Sequence, residues 1–266
     1  MASSPRQKTQ EITISEMVKG RLRLHIVGQS PLIMNSMNVK AIRTLLLPEV
    51  SGRKSRADRA RALKHDVLSE YRNSTYRDRT DDGPTRLQMP GPSFKSALMT
   101  AALDLPGTKK TEIGRLTWVA GYRFAVWGAP KIFMSVVRSS DIQKTPDVRT
   151  RAILPEWCAA IDIEFVRPNL TEQAIVNLSQ AAGLLAGIGD FRQEKGKGSF
   201  GQFRVVGDAK DAEFRHIQKA GGRAQQDAAL EHPDPYDEDT REWLDWYQSE
   251  LPNTSKIQLL EEGARA

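Results

Sequence analysis

Residues Ala182–Val206 read AGLLAGIGDFRQEKGKGSFGQFRVV. The stretch begins as the apolar end of a helix and closes as a short strand, Gln202–Val206, so it connects a helix to a strand. Six glycines punctuate it: Gly183, Gly187, Gly189, Gly196, Gly198 and Gly201. Glycine takes positive φ and lets a ligand or another backbone come close. The cations Arg192, Lys195, Lys197 and Arg204 interleave with Phe191, Phe200 and Phe203. Lys and Arg seek phosphates, and aromatic rings stack on bases. Two roles are open: a surface turn whose phenylalanines plug the core, or a nucleic-acid-binding loop. Phe203, inside the closing strand, reads as core.

Outward from this stretch, the pattern alternates between periods. Thr171 is the expected N-cap of the preceding helix, with Glu172 and Gln173 in its first turn. Ala174, Ile175, Leu178, Ala181, Ala182 and Leu185 form its apolar face. Before it, Trp157–Val166 alternates as a half-buried strand. Val148–Pro155 (VRTRAILP) is extended and sets Arg149 and Arg151 on one face. Lys131–Arg138 and Arg115–Val126 read as extended segments joined at Trp127-Gly128-Ala129-Pro130. A helix runs from Ser93, the expected N-cap, to a stop at Pro106-Gly107, with Lys95 in its first turn, where free N–H groups favour an anion. Arg21–Gly28 (RLRLHIVG) alternates Leu22, Leu24 and Ile26 with Arg21, Arg23 and His25.

Reduced to its core, and with the other extended pieces as additions, the order is strand 21–28, helix 93–103, strands within 115–138, strand 157–166, helix 171–186 and strand 202–206. This βαββαβ pattern predicts an α+β fold of the ferredoxin-like or RRM-like kind. The core is expected over 21–208, after a flexible arm at 1–20, with a basic helical insertion at 38–86 and an acidic helical extension at 209–266.

Charge is distributed unevenly. The chain has a formal net charge of +6, a hydrophobic fraction of 39% and a mean hydropathy of -0.50. Arg53, Lys54, Arg56 and Arg59 crowd the insertion, whereas 231–262 is rich in Asp and Glu. A basic body with an acidic tail fits a nucleic-acid binder whose tail competes for the basic surface. The longest apolar runs are too short for a membrane span, and the N-terminus lacks a secretory h-region. Cys158 is the only cysteine, so no disulfide is expected within the chain and a reducing cytoplasm is the expected compartment.

Catalytic motifs are sparse. The four histidines lie in unrelated segments, and neither HExxH nor a P-loop nor GxSxG is present. No cofactor is implied. Asp78, Asp81 and Asp82 sit in the polar loop 73–86 and are the candidates for a Mg²⁺-dependent nuclease site, against the plainer expectation of a solvated loop. The binding candidates are Phe191, Arg192, Lys195, Lys197 and Phe200, extended by Arg149, Arg151 and Lys95, with Arg53, Lys54, Arg56 and Arg59 closing over them. The cluster Trp243, Leu244, Trp246 and Tyr247 in 240–250 is expected to dock a terminal helix on the body, a neighbouring subunit or a protein partner.

Three pieces resemble the RAMP superfamily, the RRM-like proteins that include backbone subunits of CRISPR effector complexes. Met89–Leu98 (MPGPSFKSAL) is similar to the family's IPGSSLKGAL helix start; Arg149-Thr150-Arg151 is similar to its basic strand; Gly187–Asp190 with Gly196–Phe203 is similar to its glycine-rich loop. Pro31–Asn35, Val148–Ala152, Gly187–Arg192 and Gly201–Val205 also resemble phage-encoded members with the pattern TPLLMHN…MRTRP…GLGDYRPRYGRFEV. The likeness covers 21–206 and lacks a counterpart of the CRISPR subunits' thumb. It implies a non-enzymatic protein that binds single-stranded DNA or RNA and oligomerises along it in a bacterial host cell. The alternatives are a RAMP-type metal-dependent ribonuclease and a protein-interaction or inhibitor module.

Overall fold

A computed structural model describes residues 16–37, 42, 46, 65–138, 146–195 and 198–263, the last thirteen by backbone alone. The chain is α+β, and its sheets are antiparallel.

Strand β1, Val18–Gly28, carries the period-2 pattern that the sequence predicts, begun three residues earlier. It pairs along its length with β8, Cys158–Arg167, in the register Leu22↔Ile163, Leu24↔Ile161, Ile26↔Ala159. Directly opposed residues share a face, so this register gathers the apolar set of both strands on one side. The other edge of β1 takes β9, Phe203–Val206. Beyond β8 lie β4, Thr117–Val119, and β5, Arg123–Trp127, with β3, Gln88–Pro90, at the margin. The order is β3-β5-β8-β1-β9, with β4 also on β8.

Helices α2, Gly91–Ala101, and α4, Glu172–Leu185, cover the apolar face; α1, Val67–Asn73, and α3, Lys110–Leu116, add Val67, Tyr71 and Ile113 to the same core. Thr171 caps α4 by accepting from the Ala174 amide, as its sequence context predicts. Gly183 lets α4 approach β9: a Cβ there would fall 2.0 Å from the Phe203 carbonyl. The side chain of Phe203 is fully buried.

A second sheet, β2-β7-β6, is built from Leu32–Ile33, Pro146–Leu154 and Lys131–Arg138. Three features depart from expectation. Helix α2 begins at Gly91 with Pro92 in its first turn, where a fixed φ suits the start of a helix. Ser93 is thus inside the helix and donates to the Pro90 carbonyl instead of capping. Residues 110–116 are helical, so the extended segment expected from Arg115 starts at Thr117; the strand-favouring Thr117-Trp118-Val119 that follows hides a seven-residue helix anchored by buried Ile113. The body also does not end at Asp208. Helix α5, Ala212–Ala220, packs Phe214 and Ile217 on Val27, Trp127, Cys158 and Val206, the opposite face of the main sheet. Helix α6, Arg223–Glu231, inserts Gln226, and α7, Glu238–Gly263, buries Leu244 with Trp243 and Tyr247 packed beside it.

Gln226 is a fully buried polar hub. Its Oε1 accepts from the Arg86 and Leu87 amides, and its Nε2 donates to the carbonyls of Val126, Gly128 and Gly221. The C-terminal segment is thereby tied to the sheet margin. Most of the basic insertion, with Arg53, Lys54, Arg56 and Arg59, lies outside the described residues.

Candidate nucleic-acid interface

The hairpin β6–β7 sets the frame. Its register opposes Phe133 to Arg151, Ser135 to Arg149 and Val137 to Asp147, so these residues form one face. Arg149 and Arg151 share a side, as alternation predicts.

The glycine-rich stretch folds over one end of this face and is pinned there by main-chain bonds. The Asp190 amide donates to the Ile33 carbonyl, the Gly201 amide to the Pro31 carbonyl and the Phe200 amide to the Phe191 carbonyl. Gly201 has a φ of 72°, and a Cβ would lie 1.7 Å from the Ile188 carbonyl, so only glycine closes this turn without strain. Asp190 is the brace. Its carboxylate accepts from Asn35 Nδ2 at 2.9 Å and from the Phe191 amide at 3.0 Å, and it faces Arg151 Nη1 at 3.3 Å.

Phe191 adopts a left-handed φ of 50°, the one described non-glycine residue to do so. That places its ring beneath the Arg151 guanidinium, 5.3 Å from charge centre to centroid. Phe200 lies 6.5 Å from Phe133, and Phe133 lies 5.7 Å edge-on from Tyr236. All four rings are partly exposed. The result is a row of aromatic surfaces bordered by arginines.

The arginines differ in availability. Arg149 is half-exposed, with Asp147 on one side at 3.1 Å. Arg151 is only 13% exposed, and burial, aided by Arg149 and opposed by Asp190, lowers its affinity for the proton. A guanidinium stays charged even so; its Nη1 is buried without an aligned hydrogen-bond acceptor. Arg192 turns inward: Nε donates to Glu194 at 2.9 Å and Nη1 to the Gly189 carbonyl at 3.1 Å. It braces the loop instead of standing out as a phosphate ligand. The Lys195 side chain and the whole of Lys197 lie outside the described residues.

The remaining candidates are elsewhere. Lys95 lines a hollow of about 410 Å³ with Trp118 and Tyr122, which shares no residue with the aromatic row. Asp78 is held by Thr80 and by Arg223 at 2.8 Å; the Thr80 bonds first, then Arg223, keep its carboxyl below the ordinary carboxylate range. Asp81 faces Arg86 and Arg223, and its side chain is 90% exposed. Among the described residues, no group of three His, Cys, Asp or Glu side chains is placed as metal ligands would be.

The outward face of the main sheet is largely neutralised. Lys19 pairs with Glu164 at 2.8 Å, Arg21 with Asp162 at 3.4 Å, and Trp118 Nε1 donates to Glu164. Helix α5 covers the other end, where His25 meets the edge of Phe214.

Phe133 and Tyr236 escape the sequence reading. Alternation in 131–138 does put Phe133 opposite Ile132 and Met134, which are buried. Only the hairpin register brings it beside Arg151, and Tyr236 arrives from a segment far along the chain, where its amide N–H donates a hydrogen bond to the Ile132 carbonyl.

No family model matches this chain, and no curated protein matches it. Among the described residues, no helix is long and apolar enough to cross a membrane.

Proposed function

We propose that the protein binds single-stranded nucleic acid on the face formed by β6, β7 and the glycine-rich loop, and that it oligomerises along the strand. The observation that carries this reading is the Arg151–Phe191 stack continued by Phe200, Phe133 and Tyr236. Single strands are held by backbone-tracking cations and by base stacking at about 1–3 kcal/mol per base. Arg149 supplies an accessible cation at the same place.

We further propose that the core is the ferredoxin-like, RRM-like arrangement of the RAMP superfamily. The sheet order β5-β8-β1-β9 with α2 and α4 on one face supports it. RRM domains stack bases on the outward face of the sheet. In this chain that face carries paired charges and α5, which favours the hairpin face instead. A strand-coating role in a phage or CRISPR-like setting is consistent with the sequence resemblance.

Binding of labelled single-stranded and duplex oligonucleotides, followed by fluorescence anisotropy across a salt series, tests the reading. Preference for the single strand, with affinity falling steeply as salt rises, is expected. Equal binding of both forms, or of neither at physiological salt, defeats it. Electron microscopy with and without the strand tests assembly; filaments or rings are expected only in its presence.

A further inference from the structure

A second site lies at the margin of the main sheet, in a cleft of about 870 Å³. Its lining includes Arg72, Tyr76, Arg77, Arg79, Arg86 and Arg123. Three of these arginines form a relay through main-chain carbonyls. Arg123 Nη1 donates to the Arg77 carbonyl at 3.2 Å, Arg77 Nη2 to the Arg72 carbonyl at 2.8 Å, and Arg72 Nε to the Leu230 carbonyl at 2.9 Å. Each guanidinium is therefore aimed by a neutral acceptor, and among the described residues none of the three has a carboxylate ion-pair partner. Arg123 also lies over the Tyr76 ring, 5.8 Å from its centroid.

The carboxylates on the cleft are mostly engaged. Asp78 holds Arg223, and Asp227 holds Arg86 at 2.7 Å. Among the described lining residues, Arg72, Arg77, Arg79 and Arg123 stand against the single remaining carboxylate of Glu231. Burial and the neighbouring charges of Arg72 and Arg86 disfavour the protonated form of Arg77. Arginine does not relieve such crowding by losing a proton. Like charges held together in a partly desolvated cleft are relieved by an anion, and planar guanidinium forks match phosphate oxygens.

We propose that this cleft is a phosphate-binding site, with Arg77 and Arg123 as its principal ligands. It takes either a free polyphosphate or phosphates of a nucleic-acid strand. The site shares no lining residue with the aromatic row, so it stands or falls separately from the strand-binding face.

Isothermal titration with inorganic tripolyphosphate, and anisotropy with a short oligothymidylate, distinguish the two sources. The proteins are the wild type, Arg77→Gln, Arg123→Gln, Arg79→Gln and Phe191→Ala. Loss of a charge-assisted phosphate contact weakens binding roughly tenfold to hundredfold. For a free polyphosphate, tripolyphosphate affinity falls by that factor in the arginine variants and is unchanged in Phe191→Ala. For strand phosphates, tripolyphosphate does not bind, and oligothymidylate affinity falls in the arginine variants. Arg79 and Arg123 are exposed, so their variants keep the test intact even where Arg77→Gln fails to fold. Wild-type protein that binds neither probe, or arginine variants that bind both as well as wild type, overturns the proposal.

Discussion

Phe191→Ala separates stacking from charge at the aromatic face. The ring is partly buried, is stacked under Arg151, and sits at a φ of 50°. Its removal takes away one base platform, worth about 1–3 kcal/mol, or roughly fivefold to 150-fold in Kd. No cation is lost, so the slope of log affinity against log salt stays where it was. The fold weakens as well. Truncating a fully buried phenylalanine costs about 3–5 kcal/mol, so a half-buried one costs about half of that, including the lost cation–π contact. In a chain of this size that is roughly 3–10 °C in Tm. Alanine retains the left-handed strain, about 1 kcal/mol, which glycine does not suffer. Phe191→Gly should therefore melt higher than Phe191→Ala yet bind the strand equally weakly. Anisotropy with oligothymidylate and thermal melts measure both quantities. If both variants stay folded and bind within about twofold of wild type, Phe191 is not a stacking platform and the assigned face is wrong.

Arg149→Gln should flatten the salt slope by about 0.7, one single-strand phosphate contact, with little change in Tm because the side chain is half-exposed; a salt series reads it. Gly183→Ala drives a Cβ to 2.0 Å from the Phe203 carbonyl and 2.7 Å from its ring, so α4 must lift from β9. Denaturant melts should show a loss of about 3 kcal/mol or more, beyond ordinary overpacking. Gln226→Leu takes the side-chain partner from the Arg86 and Leu87 amides and from the Val126 and Gly128 carbonyls, while the Gly221 carbonyl keeps the Gly128 amide. Each unsatisfied buried group costs about 1–3 kcal/mol, and limited proteolysis should then release the C-terminal helices. Burial pushes the Cys158 thiol up to about 12. Native protein at mildly alkaline pH should therefore resist a thiol reagent that labels it at once in denaturant.

The main elements were legible where the pattern is local. Leu22, Leu24 and Ile26, the Thr171 cap and the alternation of 157–166 all announce their structure within a few residues. Asp190 braces its loop through Asn35, Arg151 and the Phe191 amide, partners that no local pattern announces. The start of α2 was misplaced because Ser93 is a good cap in isolation, whereas Pro92 extends the first turn. Helix α3 was hidden by its brevity. Composition ends the core at 208 and leaves the body as one of the docking options for 240–250; Phe214, Gln226 and Leu244 are in fact buried in the body.

The glycine-rich connection between helix and strand, the mixed α+β class and the placing of Arg149 and Arg151 on one side of a strand follow from the sequence alone. They depend on periodicity and turn chemistry, which act between near neighbours. Tertiary structure decided which charges remain available. It set Asp190 against Arg151 and neutralised Lys19 and Arg21 with acids from β8. It also joined Phe133 and Tyr236 to Phe200, and lined up Arg72, Arg77 and Arg123 on successive carbonyls. The physical reason is distance along the chain. A side chain's charge and exposure are set by partners that strand register and helix packing deliver from residues tens to more than a hundred positions away.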